Sequence, residues 1–427
     1  MRDALLFNRR REWGSWLAAM PNSKQQIVWL HLSDWHQRGP DFDRSVVRDA
    51  LIDDLRQRSD LSPALKNIDF IIFSGDLAFS GVKPEFDAAS REFLTPVLEA
   101  TRVPKDRVFL VPGNHDLDRN ALGLLPPLLK TLTGRAVVSQ WLMDPERRQQ
   151  LMQPMRQYAE FVQGFLGPDA PPEPAYGFTK LLNVRGTKIA IVGMNSAWMC
   201  GQKVEDGEVR DYGYLMLGEP QFYEPIRDPR VQKADLKIAV LHHPCSWLSE
   251  VVQRSYVEAS LRQAFHFMLR GHEHEAHLEV PSGTSGNCAI ISAGASYDRR
   301  EYPNGYNFVH LDLTTGAGEI YLRRYDMGRG FHKDTTVTGD SSPGLYRFRI
   351  PKRLAADGPD NQNGRDSRPV INAVIVLLLS FLTWWFFYVE TFPLDVSGTC
   401  VVVAGWSAVV LAVRGLVRSF RKPAPEK

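Results

Sequence analysis

The chain has 427 residues, 23% of them charged, and a formal net charge of +2. That near balance gives no global attraction to nucleic acid or any other polyanion, and the length allows one large domain or two ordinary ones. Cysteine is confined to Cys200, Cys245, Cys288 and Cys400, with no C-x-x-C pair, which excludes zinc-finger and thioredoxin-type chemistry and fits a reducing compartment.

The first segment, 1–26, reads as an N-terminal helix and not as a secretory signal, because Arg9, Arg10 and Arg11 interrupt any apolar core. Leu6, Trp13, Trp16, Leu17 and Met20 fall on one helical face, which suits packing on the domain or lying at a membrane interface. Ile27 to Leu32 is a run of strand formers, and it delivers Ser33-Asp34-Trp35-His36. Arg44 to Arg56 has helical spacing. Ile68 to Phe73 is a second buried strand and delivers Ser74-Gly75-Asp76. Glu85 to Leu98 is helical again. Strand Arg107 to Val111 then delivers Gly113-Asn114-His115-Asp116. This alternation implies crossovers and at least partly parallel pairing.

Residues 117–176 break the rhythm with Leu-rich and Gln/Arg-rich helical stretches, closed by a Pro-rich loop at 167–174. They read as an inserted helical cap, able to shape substrate access or simply to add a helical layer. Strand character returns at Lys188 to Met194, followed by Asn195-Ser196, and at Leu236 to Leu241, followed by His242-His243. Phe265 to Leu269 delivers Gly271-His272-Glu273-His274. Cys288 to Ser292, Asn307 to Leu313 and Glu319 to Arg323 complete the strands. A domain over 27–325 is therefore expected, with 326–369 as a linker; the turn-forming stretch Asp357 to Pro369 gives the linker its character.

Two apolar runs follow, 370–389 and 396–415, each long enough to cross a bilayer. The loop between them carries Glu390 and Asp395 but no Lys or Arg. Arg365 and Arg368 flank one side, and Arg418, Arg421 and Lys422 in the tail 416–427 flank the other. The positive-inside rule then puts both ends in the cytoplasm. The expectation is a transmembrane hairpin that anchors a cytoplasmic domain to a bacterial inner membrane.

The polar residues at the strand ends form one set: Asp34, His36, Asp76, Asn114, His115, Asp116, His242, His272 and His274. In α/β sheets ligands gather at the carboxyl ends of strands. Asn, His and Asp just past a strand are costly to bury unless they hold something, and a metal with oxygen and nitrogen ligands is the candidate. The set is large enough to hold two divalent ions with one carboxylate between them, an arrangement that clamps phosphate and activates water.

Asp34-x-His36, Gly75-Asp76, Gly113-Asn114-His115-Asp116, His242 and Gly271-His272-x-His274 stand in the order of the motifs of calcineurin-like metallophosphoesterases, and residues 27–325 resemble that family. The resemblance implies a four-layer αββα sandwich of the α/β class and a dinuclear centre of manganese, iron, zinc or cobalt. It implies that Asp34, His36 and His274 hold one ion, that Asn114, His242 and His272 hold the other, and that Asp76 bridges them. It gives His115 the role of hydrogen-bond donor or general acid toward the leaving group, with Asp116 orienting its ring. Strand alternation lets only one of His242 and His243 face the metals, and the relatives point to His242. His31 reads as a core histidine and His277 as a surface one; Asn195 and Ser196 are candidates to line the pocket or to form a turn.

The expected reaction is in-line attack on a phosphodiester or phosphomonoester by metal-activated hydroxide. The text around the motifs looks most like bacterial cyclic-nucleotide phosphodiesterases, so a nucleotide or cyclic nucleotide is favoured. Two alternatives stand beside it: a phospholipid-headgroup phosphoesterase, and a membrane-tethered effector or scaffold using the same domain as a sensor. No nucleic-acid surface is evident, and an oligomer is compatible with the sequence.

Overall fold

The computed structural model describes residues 25–123, 125–201, 204–205, 208–209, 211–249, 254–280, 288–338 and 342–350. The expected N-terminal helix up to residue 24, the linker beyond 350, both apolar C-terminal runs and the tail lie outside these residues. Among the described residues no helix is long and apolar enough to cross a membrane.

The strands in chain order begin with β1 (Gln26–Leu32), β2 (Phe70–Phe73), β3 (Val108–Leu110), β4 (Gly177–Val184) and β5 (Thr187–Met194). A short ladder of β6 (Val204–Glu205) and β7 (Glu208–Val209) follows. Then come β8 (Leu236–Val240), β9 (Phe267–Arg270), β10 (His277–Glu279) and β11 (Ala289–Ser292). The last are β12 (Gly305–Asp312), β13 (Ala317–Asp326), β14 (Gly330–Lys333) and β15 (Leu345–Arg349).

These strands make a mixed α/β sandwich. One sheet has seven strands in the order β14-β13-β12-β1-β2-β3, with β15 on β13; the other has six in the order β10-β11-β9-β8-β5-β4. Strands β1, β2 and β3 run parallel, as do β5, β8, β9 and β11. The two sheets meet face to face. Ile27 and Trp29 of β1, with Phe70 and Ile72 of β2, share one core with Ile191 of β5, Val240 of β8 and Phe267 of β9. The Trp29 and Phe267 rings touch edge to face across it, 5.1 Å apart. Alternation sends Val28, Leu30 and Leu32 to the opposite face. There they join Val47, Leu51 and Leu55 of the helix Phe42–Arg56 in a second core. Asp41 caps that helix by accepting from the backbone N–H groups of Asp43 and Arg44. Burial on both faces explains why the central strands read as unbroken apolar runs.

Residues 125–166 are largely helical. Their helices include Arg135–Met143, Pro145–Leu151 and Arg156–Leu166. The Phe161 ring stacks on Phe86 of the helix Lys83–Ala89 at 5.2 Å, which seats the insertion against that helix.

One boundary moves. Residues 326–350, read as linker from their turn formers, carry β14 and β15, both paired with β13. Phe348 and Ile350 are buried in the core between the sheets. Strands this short, fixed by an edge partner far along the chain, leave almost no periodic signal.

Candidate metal centre

The parallel registers bring the carboxyl ends of β1, β2 and β3 to one level, since Leu32 stands beside Phe73 and Phe73 beside Leu110. Beyond those ends the loops zip together. Asp34 N–H donates to Gly75 at 2.9 Å, His36 N–H to Asp76 at 3.0 Å and Gln37 N–H to Leu77 at 2.9 Å. Strands β8 and β9 bring His242 and the 271–274 turn to the same edge from the second sheet.

The backbone is strained where the side chains converge. Asp34, His36, Asp76, His272 and His274 all have positive φ, between 49° and 74°. L-residues visit that region rarely, and such outliers cluster at functional sites. Gly75 has φ of 106° and packs so closely that a Cβ there would collide with the His242 ring.

Two groups of ligand-type atoms result. In the first, Asp34 Oδ1 lies 3.3 Å from His274 Nε2 and 3.7 Å from His36 Nε2, and the two imidazole Nε2 atoms are 3.1 Å apart. In the second, Asn114 Oδ1 is 3.2 Å from His242 Nε2 and 3.1 Å from His272 Nδ1. The two ring nitrogens are 3.3 Å apart. Asp76 stands between the groups: its Oδ2 is 3.2 Å from His242 Nε2, and its carboxylate lies within 4.8 Å of the ligand atoms of Asp34 and His242, and of His36 and His115. The structure thus brings all seven expected ligands together. Asp34, His36, Asp76 and His242 form a buried floor, and Asn114, His115, His272 and His274 a partly exposed rim.

The donor set fits cations. Imidazole nitrogens face one another at 3.1 Å (His36 and His274) and 3.3 Å (His242 and His272), and Asn114 Oδ1 faces the second pair. Asp34 Oδ1 is fully buried and accepts no hydrogen bond. The charges agree. Burial opposes protonation of His242, but Asp76 and Asp34 beside it hold it up to about 9. Burial likewise opposes a proton on His274, yet the Asp298 and Asp34 carboxylates beside it raise it to about 10. Burial presses His36 down to about 4 and His272 to about 3. In each group the carboxylates thus draw positive charge to one imidazole while burial keeps another neutral, the form in which it can ligate a divalent ion.

Outer partners fix the rings. His242 Nδ1–H donates to the Ser74 carbonyl at 2.8 Å, which aims Nε2 into the site. His274 Nδ1 pairs with Asp298 Oδ2 at 3.3 Å. Asp298 escaped the sequence reading; its one signal is its place a few residues beyond β11. Asn304, fully buried, holds it by accepting from Asp298 N–H at 2.8 Å.

The role read for Asp116 changes. His115 Nδ1–H donates to the Phe79 carbonyl at 2.7 Å, not to Asp116. The Asp116 carboxylate is buried and accepts from three backbone N–H groups: Asp76 and Gly113 at 2.9 Å and Ala78 at 2.8 Å. It clamps the two ligand loops together. Burial and the nearby Asp76 charge push its carboxyl up to about 7.

His243 lies near His242 and His272, but both its ring nitrogens have protein partners. Nδ1 is 3.0 Å from Ser196 Oγ and Nε2 3.7 Å from Cys200 Sγ. Ser196 thus holds His243 rather than lining the pocket. Asn195 is fully buried and ties the insertion to β5, donating to the Ala175 carbonyl at 2.6 Å. His31 is a core residue bonded to Ser74 Oγ, and His277 is exposed, both as read.

A family model described as calcineurin-like phosphoesterase matches residues 28–276. A curated relative, the uncharacterized metallophosphoesterase-like protein YydB of Bacillus subtilis (strain 168), is 24% identical over 309 residues, covering 70% of this chain. The match spans 59% of that relative's length. Among solved structures, a dimetal phosphatase from Danio rerio is 16% identical, covering 70% of this chain and 96% of that one, with a TM-score of 0.35. GAP50, the anchor in the inner membrane complex of Plasmodium, is 14% identical, covering 77% of this chain and 90% of that one, with a TM-score of 0.38.

Proposed function

The chain belongs to the calcineurin-like phosphoesterase family, and on that premise we propose that it is a metal-dependent hydrolase of a phosphodiester or phosphomonoester, with a nucleotide or cyclic nucleotide as the favoured substrate. The observation that carries the reading is the meeting of Asp34, His36 and His274 with Asn114, His242 and His272 on either side of Asp76. Two divalent ions held there would polarise the phosphoryl oxygens and lower the pKa of water. The strained loops hold the ligand residues in place before substrate arrives, so little reorganisation is left for the reaction.

His115 supplies the proton. Its Nδ1–H is committed to Phe79, so the Nε2 side faces the partly exposed rim. In the imidazolium form the Nε2 proton can pass to the oxygen of the departing group, leaving a neutral ring whose Nδ1–H stays on Phe79. Asp116, by fixing the N–H groups of Asp76 and Gly113, keeps the Asp76 and Asn114 loops in register.

The apolar runs 370–389 and 396–415 support membrane anchoring, with the domain on the cytoplasmic side of a bacterial inner membrane. They also favour a second reading, in which the chain is a membrane-tethered effector or scaffold, or acts on phospholipid headgroups. The separating experiment is hydrolysis of bis(p-nitrophenyl) phosphate by the detergent-solubilised full chain loaded with manganese. The hydrolase reading expects turnover that Asp76→Asn abolishes. Equal, negligible rates from both proteins would leave only the scaffold.

A further inference from the structure

Beside the metal-ligand cluster stands an aromatic step that no ligand role explains. Trp247 packs edge-on against His272, with ring centroids 4.1 Å apart at 83°, and lies 5.6 Å from the His243 ring. Tyr212 meets Trp247 in turn, 5.5 Å away at 80°, and is 60% exposed. The two rings come from segments tied by backbone bonds. Gly213 N–H donates to the Trp247 carbonyl at 3.0 Å, and Ser249 N–H to the Leu215 carbonyl at 2.8 Å. Trp247 also follows His242 directly through the turn Cys245–Trp247. The platform is therefore rigidly coupled to two of the metal-ligand positions.

We infer that Trp247 and Tyr212 form the surface on which the base of a nucleotide substrate stacks. The inference rests on the phosphoesterase reading of the adjoining cluster and assigns the part of the substrate that the cluster leaves unread. The rings lead outward from His272 to Trp247 to Tyr212. A nucleoside phosphate has the same order: phosphate, then sugar, then a flat aromatic base. A largely exposed tyrosine beside a strongly polar site gains by covering its apolar face, and a base is the planar group that does so while its edge stays in water. A substrate with an aliphatic alcohol would leave the platform bare.

The test is calorimetric affinity of the manganese-loaded full chain for the non-hydrolysable phosphonate isosteres of adenosine 5′-monophosphate and of ribose 5-phosphate. Both carry the same phosphonate and sugar, so their ratio isolates the base. The wild type should favour the nucleotide by about tenfold, the size of one base–aromatic stack. Tyr212→Ala and Trp247→Leu should each bring the ratio toward one, while Tyr212→Phe and Trp247→Phe keep it. A Trp247 that only packs against His272 would alter both affinities together and leave the ratio intact. Equal affinities in the wild type, binding of neither ligand, or a ratio untouched by Tyr212→Ala overturns the platform. Continued hydrolysis of bis(p-nitrophenyl) phosphate alongside that result removes the platform alone; base-selective binding without hydrolysis removes the hydrolase reading alone.

Discussion

His115 and Phe79 are joined twice: the His115 Nδ1–H donates to the Phe79 carbonyl at 2.7 Å, and the two rings stack with centroids 4.9 Å apart at 27°. A backbone carbonyl accepts only, so the bond sets the tautomer of the ring as well as its direction. The loop carrying Phe79 is itself held, since Phe79 N–H donates to Glu85 Oε2 at 3.1 Å and to the Gln37 carbonyl at 3.1 Å.

From this comes a prediction about leaving groups. If His115 protonates the departing oxygen, His115→Gln should lower kcat by roughly a hundredfold or more for esters of poorly acidic alcohols. For p-nitrophenyl esters, whose leaving group departs without a proton, the loss should be much smaller. The check is a plot of log kcat against leaving-group pKa, which should steepen in the variant. Parallel lines for the two proteins would remove His115 from proton transfer.

Asp298 should matter for metal and not for proton transfer. Its carboxylate faces His274 Nδ1 at 3.3 Å and draws the ring's Nε2 toward Asp34 and His36. Partners of this kind typically govern metal affinity by about 10- to 100-fold. Asp298→Ala should therefore weaken one of two binding events in a metal titration by that factor, and Asp298→Asn by less. Two unchanged binding events would show that His274 needs no such partner.

Much of the site was legible because residue type and position agree. Asp34, Asp76 and His242 each follow an apolar run buried on both faces, and such runs are readable without knowing their neighbours. Strand β4 was not, because its burial alternates from Phe178 to Val184 but its residue types do not: Lys180 stands on the inner side and Leu181 on the exposed one. Strands β14 and β15 take their identity from pairing with β13. The outer partners were illegible for another reason. His115 is held by a carbonyl, which every residue carries, and Asp116 serves three N–H groups, which nearly every residue carries. Only the fold says which of these come near.

A stability prediction concerns the helix Phe42–Arg56. Asp54 near its end receives Arg323 Nε–H at 2.7 Å and the Tyr306 hydroxyl, and Arg323 is 5% exposed. Asp54→Ala leaves that guanidinium buried without its partner, which should cost about 3–5 kcal/mol in urea unfolding. The double variant Asp54→Leu with Arg323→Met should recover much of that loss, since it removes both charges together. If the single and double variants are equally unstable, packing around Asp54 and not its charge is what matters.

The last prediction is a pH dependence set away from the metal centre. Burial alone would raise the Glu319 carboxyl, but hydrogen bonds from His310, Tyr321 and Arg347 win and lower it from 4.5 to about 2. A folded-state pKa below the unfolded one means that the folded protein prefers the charged form. The resulting stability is in full force above the unfolded value and drains away as pH falls through 4.5 toward 2. Arg347 is largely exposed, so solvent screens part of the gain and about 1–2 kcal/mol is expected. Glu319→Gln keeps the shape and removes the charge. Urea midpoints should therefore separate wild type from variant at about pH 7, and the gap should narrow at about pH 3 as the wild-type carboxyl loses its advantage. A gap of the same size at both values would mean that the Glu319 network works through geometry, with no contribution from ionisation.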